Sequence, residues 1–141
     1  MTEEVIERLH SVAATSNDET CGVFSGSVTT KGICRINNIS PILVTLESSR
    51  YVCVRDAEKA NKFIKEEFER SNGSRVYFGE WHTHPESFPS PSSADRKAIC
   101  SIYKEAKNPL ELLFFAIAGW KDIYWGCFDG KSFVRVIPTI V

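Results

Sequence analysis

Residues 82–95 read His82-Thr83-His84-Pro85-Glu86-Ser87-Phe88-Pro89-Ser90-Pro91-Ser92-Ser93-Ala94-Asp95. Side chains two apart on an extended strand share a face, about 6.6 Å along it, so the imidazoles of His82 and His84 can converge on one ion. Asp95 supplies a third ligand. Three protein ligands leave a fourth tetrahedral position for water, which separates a catalytic zinc from a closed structural one. The stretch therefore implies one Zn2+ per chain and hydrolytic chemistry. Ser92 and Asp95 also have the spacing of a capping box, the serine accepting from the amide of residue 95 and the aspartate answering it. The two readings are compatible. A helix starting there carries Asp95 inward on its first turn and leaves the Ser92 hydroxyl to donate toward a reacting carbonyl oxygen. Pro85, Pro89 and Pro91 stiffen the intervening loop.

Working outward, Arg75 to His84 reads as the strand that delivers the histidines, and Ser92 to about Ala106 as a helix ended by Asn108-Pro109. Upstream, Asp56 caps a helix whose face carries Ala60, Phe63, Ile64 and Phe68, with Gly73 at its end. Residues 3–14 repeat apolar positions with helical period. Residues 20–28 and 33–37 form a hairpin around Thr29-Thr30-Lys31-Gly32, and the segment from Asn38 to Arg50 is irregular apart from the apolar run Ile42 to Leu46. Downstream, Leu112 to Ala118 suits a strand buried on both faces. Asp129-Gly130 joins Ile123–Phe128 to Ser132–Val136, and Pro138 belongs at an edge. This order predicts an α/β (α+β) fold, a mixed central sheet flanked by helices, in one domain spanning 1–141.

With 141 residues, 43% of them hydrophobic, the chain can bury one core without staples. Its 17 basic and 18 acidic residues give a net charge of -1, which offers no footprint for nucleic acid or an anionic membrane and favours a protein partner. Five cysteines, Cys21, Cys34, Cys53, Cys100 and Cys127, fall without any Cys-x-x-Cys pair, and are expected to be reduced thiols filling the core of a cytoplasmic protein. The N-terminus has no signal-peptide pattern, and no apolar run is long enough to span a bilayer.

A zinc-bound water needs a proton acceptor, and Glu19, Glu80 and Glu86 are the plausible carboxylates. Glu80 shares strand parity with the histidines, where it could hold an imidazole tautomer. Glu86 lies in the loop after the ligands and should be exposed. Glu19 precedes Cys21-Gly22-Val23-Phe24-Ser25-Gly26, whose glycines allow close backbone approach. Spacing alone leaves Glu19 and Glu80 level.

Taken together, these residues resemble the JAMM (JAB/MPN-type) zinc metallopeptidases: an upstream glutamate, then His-x-His, seven residues, Ser, two residues, Asp, matched at Glu19, His82, His84, Ser92 and Asp95. The resemblance implies a cytidine-deaminase-like layered fold, metal ligation by His82, His84 and Asp95, and catalytic roles for Glu19 and Ser92. Gly79-Glu80-Trp81-His82-Thr83-His84-Pro85-Glu86 is similar to the small bacterial members encoded beside E1/E2-like enzymes, several in CBASS-type anti-phage operons. The implied activity is an isopeptidase or peptidase, deubiquitinase-like. It would cut after the C-terminus of a ubiquitin-like protein, or of a CD-NTase (cGAS-like nucleotidyltransferase) conjugated by an E1/E2-like module. Processing of a sulfur-carrier protein, or a non-catalytic binding module, are the alternatives. A substrate tail held extended against an exposed strand edge, with a small residue before the cut, fits such chemistry.

Overall fold

The computed structural model describes residues 1–15, 18–45, 53–105 and 111–140. Its elements are α1 (Glu3–Thr15), β1 (Cys21–Val28), β2 (Cys34–Ile39), α2 (Ala57–Arg70), β3 (Val76–Thr83), α3 (Ser93–Glu105), β4 (Leu113–Ala118), β5 (Ile123–Phe128) and β6 (Phe133–Arg135). The strands form one six-stranded sheet in the order β2-β1-β3-β4-β5-β6, with β3 and β4 parallel and the other neighbours antiparallel. The expected mixed sheet with flanking helices is therefore present.

Strand alternation sorts the core onto two faces. On β4, Ala116 and Ala118 join Val5, Leu9 and Ala13 of α1, together with Phe24, Phe78, Trp81 and Trp125. Leu113, Phe115 and Ile117 point the other way, to Ile99 of α3 and Phe128. Val23 shares that second face with Leu43 and Ala60 of α2. The result is one helix on one side of the sheet and two on the other, each layer burying the apolar stripe of its neighbour. The functional cluster lies between α3 and the C-terminal end of β3.

A β-bulge shapes that face. The β1–β3 register passes from Phe24↔Gly79 to Ser25↔Tyr77, so Phe78 is the extra residue. Side-chain parity flips across a bulge, which brings Tyr77 to the face of Glu80 and His82. The caps follow the sequence reading: Asp56 accepts from the Lys59 amide at 3.1 Å, and Gly73, at φ +86°, donates to the Phe68 carbonyl at 2.8 Å. The last hairpin turns through Asp129–Ser132, with Gly130 at φ +94° and Asp129 Oδ1 accepting from the amides of Lys131 and Ser132 at 2.8 Å.

Two expectations need correction. Phe68, counted on the inner face of α2, is 49% exposed, and the buried residue of that turn is Glu67, which accepts from Ser25 Oγ at 2.5 Å and pairs with Arg75 at 3.4 Å. A helical stripe fixes which residues share a side, but here Glu67 takes the inward place over β1, held by Ser25 and Arg75. The cysteines are not all reduced, and only some fill the core: Cys21 is buried and Cys100 packs against the Ile99 cluster. Cys21 and Cys53 form a disulfide with Cα atoms 6.0 Å apart, Cys34 is exposed, and Cys100 and Cys127 are half-buried. A chain separation of 32 residues gave no hint of the pairing. The expected end of the third helix at residues 106–109, the tail of the Ile42–Leu46 run and part of the loop after α1 lie outside the described residues.

Candidate metal centre

β3 ends at Thr83, and both of its edges are occupied, by β1 and β4. Thr83 donates to the Thr20 carbonyl at 2.8 Å and His84 to the Ala118 carbonyl at 3.0 Å, so the ligand strand is pinned from both sides at its tip. The loop beyond is fastened too: the amides of Trp120 and Lys121 donate to the carbonyls of Glu86 and Ser87 at 2.7 and 3.0 Å. Gly119 permits this seating, since a Cβ there would lie 2.5 Å from both the Glu86 carbonyl oxygen and Pro89 Cδ. At the loop's end Ser92 and Asp95 form the expected capping box. The Asp95 amide donates to Ser92 Oγ at 3.1 Å, and the Ser92 amide to Asp95 Oδ2 at 2.8 Å. The serine accepts through one lone pair and keeps its own proton to donate.

Three side chains meet in this corner. His82 Nε2 lies 3.2 Å from His84 Nε2 and 3.2 Å from Asp95 Oδ1, and His84 Nε2 lies 3.3 Å from Asp95 Oδ2. Two donors bound to one tetrahedral zinc at the usual Zn–N and Zn–O lengths are about 3.3 Å apart. The cluster thus has the dimensions of a zinc site, and among the described residues His82, His84 and Asp95 form the group able to hold a metal. The electrostatics agree. Burial works against charge on Asp95, yet its hydrogen bonds with His82 and His84 and the Ser92 amide hold its carboxyl far below the ordinary range. Burial likewise opposes charge on His84, but Asp95, Glu86 and Glu19 lift its pKa to about 9. An environment that grips a proton so firmly also favours a cation.

The structure gives the three carboxylates different surroundings. The β1–β3 register sets Cys21 opposite His82, and carried two residues further it sets Glu19 opposite His84. Glu19 Oε1 stands 3.7 Å from His84 Nε2, with its side chain 15% exposed. Burial raises its pKa against the pull of the two histidines, and the Cys53 amide donates to its carboxylate. Glu80 does something else. Its Oε1 pairs with Arg55 Nε, and its Oε2 accepts from Tyr77 at 2.5 Å. The imidazole-holding role considered for Glu80 belongs to Glu86, whose Oε1 lies 3.1 Å from His84 Nδ1. Exposure of Glu86 was expected correctly, but its two-residue offset from His84 was the signal for a partner of that ring. With Nδ1 donating to Glu86, the Nε2 lone pair of His84 points into the cluster.

A cleft of about 500 Å³ opens beside the donors. One wall is Ala94, Ala98, Ile99 and Ile102 of α3, the other Cys53, Val54, Arg55 and Ala57, and Glu19, Glu80, Trp81, His82 and Asp95 line it between them. The second wall is held by the Val44↔Arg55 bridge and by hydrogen bonds from Thr45 to Val54 and from Asp56 to Leu43. Buried Glu80 ties it to β3 through Arg55.

A family model described as prokaryotic homologs of the JAB domain matches residues 2–126. The chain belongs to that family. Two curated relatives of this JAB domain are each named CD-NTase/cGAS isopeptidase. One, from Escherichia coli strain TW11681, is 47% identical over 64 residues, which is 45% of this chain and 38% of the relative. The other, from Vibrio cholerae serotype O1, is 41% identical over 63 residues, with the same two shares, 45% and 38%. The matched stretch thus spans well under half the length of either relative. Among solved structures, a protein from Desulfitobacterium hafniense superposes with TM-score 0.66 at 20% identity, covering 96% of this chain and 87% of that one. A second, from Salinibacter ruber, gives TM-score 0.53 at 18% identity, covering 99% and 88%. These two likenesses concern the fold.

Proposed function

We propose that this JAB domain is a zinc-dependent isopeptidase that hydrolyses the amide bond joining the C-terminal residue of a conjugated protein to an amine. Its substrate would be a CD-NTase, as the names of the two relatives suggest, or a ubiquitin-like protein, conjugated by an E1/E2-like module in anti-phage defence. The observation that carries the reading is a zinc-sized triangle of two imidazole nitrogens and a carboxylate with a half-buried glutamate 3.7 Å from one corner.

His82, His84 and Asp95 would hold the metal, which when bound polarises a carbonyl and lowers the pKa of water toward about 7. The chain's own groups do the rest. Glu19, made more basic by burial, accepts a proton from the attacking water and returns it to the leaving amine. Ser92, held at the cap by the Asp95 amide, donates its hydroxyl proton to the oxygen on which negative charge develops. Glu86 keeps His84 in the tautomer whose Nε2 faces the cluster. The cleft between α3 and residues 53–57 receives the substrate tail extended. Free sheet edges occur at β2 and β6, away from the donors, so a tail beside the site would lie along the extended 53–56 wall, not along β3. The test is incubation of the zinc-loaded protein with a CD-NTase joined through its C-terminus to a lysine side chain, followed by mass spectrometry. Recovery of the native C-terminus and free lysine is expected; an intact conjugate, with a ubiquitin-like conjugate equally untouched, rejects the reading.

A further inference from the structure

The Cys21–Cys53 disulfide stands at the catalytic corner, where the reaction as described makes no use of it. Cys21 sits on β1 opposite His82 and two residues after Glu19. Cys53 lies on the far wall of the cleft, and its backbone amide donates to the Glu19 carboxylate. Both sulfur-bearing residues line the cleft together with Glu19, His82 and Asp95. Hydrogen bonds and an ion pair seat this wall at Val54, Arg55 and Asp56. The disulfide adds a covalent tie at Cys53, and it runs to Cys21 at the start of β1, two residues after Glu19. The glutamate is thereby fixed at two points of one small loop of contacts: by its own backbone ahead of Cys21, and by the amide of the residue to which Cys21 is bonded.

We propose that Cys21 and Cys53 are positioning residues for the proton transfer: their disulfide keeps the Cys53 amide on the Glu19 carboxylate, so that opening it slows turnover while leaving the metal in place. The inference rests on the reading of Glu19 as proton acceptor. Opening the bond takes a reductant. Two thiols of a dithiol partner give up two electrons and two protons, leaving Cys21 and Cys53 as thiols and the partner as a disulfide; with a phosphine, water supplies the two protons and the oxygen of the phosphine oxide. A carboxylate released from one donor explores more orientations, and a displacement of about 1 Å in a catalytic group costs up to about a hundredfold in rate. In a reducing compartment the pair would make hydrolysis depend on thiol poise.

The test uses the full-length, zinc-loaded protein with and without a water-soluble phosphine, which avoids the zinc chelation of dithiols. Thiol labelling counts the cysteines, metal analysis follows zinc, and the Cys53 amide resonance of nitrogen-15-labelled protein reports the contact with Glu19. Reduction is expected to expose two further thiols, retain zinc, lower kcat about tenfold or more with KM within about twofold, and move the Cys53 amide resonance. Cys53→Ala, which keeps the amide but not the bond, should behave as the reduced protein and ignore phosphine. Should that variant fail to fold, the reduced wild-type protein still decides. Unchanged kcat and amide resonance after full reduction overturn the proposal, as does labelling of all five cysteines without reductant. Loss of zinc in step with activity also overturns it, because the bond would then support the metal site rather than the base. A Glu19→Gln variant as active as wild type sinks the base assignment instead, which is a distinguishable result.

Discussion

Replacing Glu86 with alanine should weaken zinc binding by an amount that grows with pH. Glu86 Oε1 is 3.1 Å from His84 Nδ1, and its side chain is 51% exposed. A carboxylate behind a ligating imidazole contributes about 10–100-fold to metal affinity, and the exposure of Glu86 places it near the lower limit, about tenfold. In the metal-free protein His84 titrates at about 9. Below that value zinc must displace a proton, which at about pH 7 costs about 2.7 kcal/mol, or about a hundredfold in apparent affinity. The sign follows: a raised histidine pKa favours the protonated, metal-free form at low pH, and this advantage is lost as pH rises through about 9. Wild-type affinity should therefore climb about tenfold per pH unit up to that value and then flatten. Glu86 strengthens the grip on the proton as well as on the metal, so the two losses offset each other at low pH. The ratio of wild-type to Glu86→Ala affinity should be about twofold near pH 7 and approach about tenfold above pH 9. Competition against a chromophoric chelator across that range measures it. A ratio independent of pH, or no loss at high pH, would refute the claim that Glu86 acts through His84.

Glu19→Gln should bind zinc normally and fold normally yet lose kcat by about 10²–10⁴, because an amide cannot accept the proton of the attacking water; Glu80→Gln should be milder, and the reverse order of damage sinks the base assignment. Ser92→Ala should lower kcat by about 10²–10³ through the lost oxyanion donor, and lower stability by about 1 kcal/mol through the lost cap. Stability loss at full kcat would leave the serine with its cap alone. Ser25→Ala removes a hydrogen bond from Glu67, which is 2% exposed and keeps Arg75 as its partner. Urea denaturation should show a loss of about 1–3 kcal/mol with turnover unchanged.

The cluster was legible in the sequence because its geometry is local. His82 and His84 are set by the strand repeat, and Ser92 and Asp95 by one capping box, so fourteen consecutive residues carry most of it. What was missed is long-range. Spacing left Glu19 and Glu80 level; the family resemblance pointed to Glu19, and the β1–β3 register sets it opposite His84. Parity suggested that Glu80 faces an imidazole, whereas a bulge at Phe78 turned Tyr77 to the same face, and an arginine 25 residues upstream reached in to complete the group. The disulfide closes a 32-residue separation that no spacing rule anticipates. In the fold, the helices and strands followed hydrophobic period to within a residue or two. An exception in packing was Phe68, which is exposed while Glu67 beside it is buried against Ser25 and Arg75.

The lining of the cleft also bears on which residue precedes the cut. The scissile carbonyl must come within reach of Glu19 and the donor triangle, in the cleft lined by the 53–55 wall and the first turns of α3. There α3 presents Ala94 and Ala98, while the opposite wall is tied down by the disulfide and the Arg55–Glu80 pair. Neither side yields easily: one is a helix backbone with a methyl group, the other is anchored to two strands. The residue before the scissile bond should therefore be small. A bulky replacement at that position in an otherwise unchanged conjugate should abolish cleavage, because overpacking a constrained site costs about 1–3 kcal/mol before any misplacement of the carbonyl is counted. Short peptides with the correct tail should be cut slowly, since they lack the folded body whose docking contributes binding energy. Equal rates for small and bulky residues there would rule out the narrow slot. Rapid cleavage of the short peptide would place recognition in the tail alone.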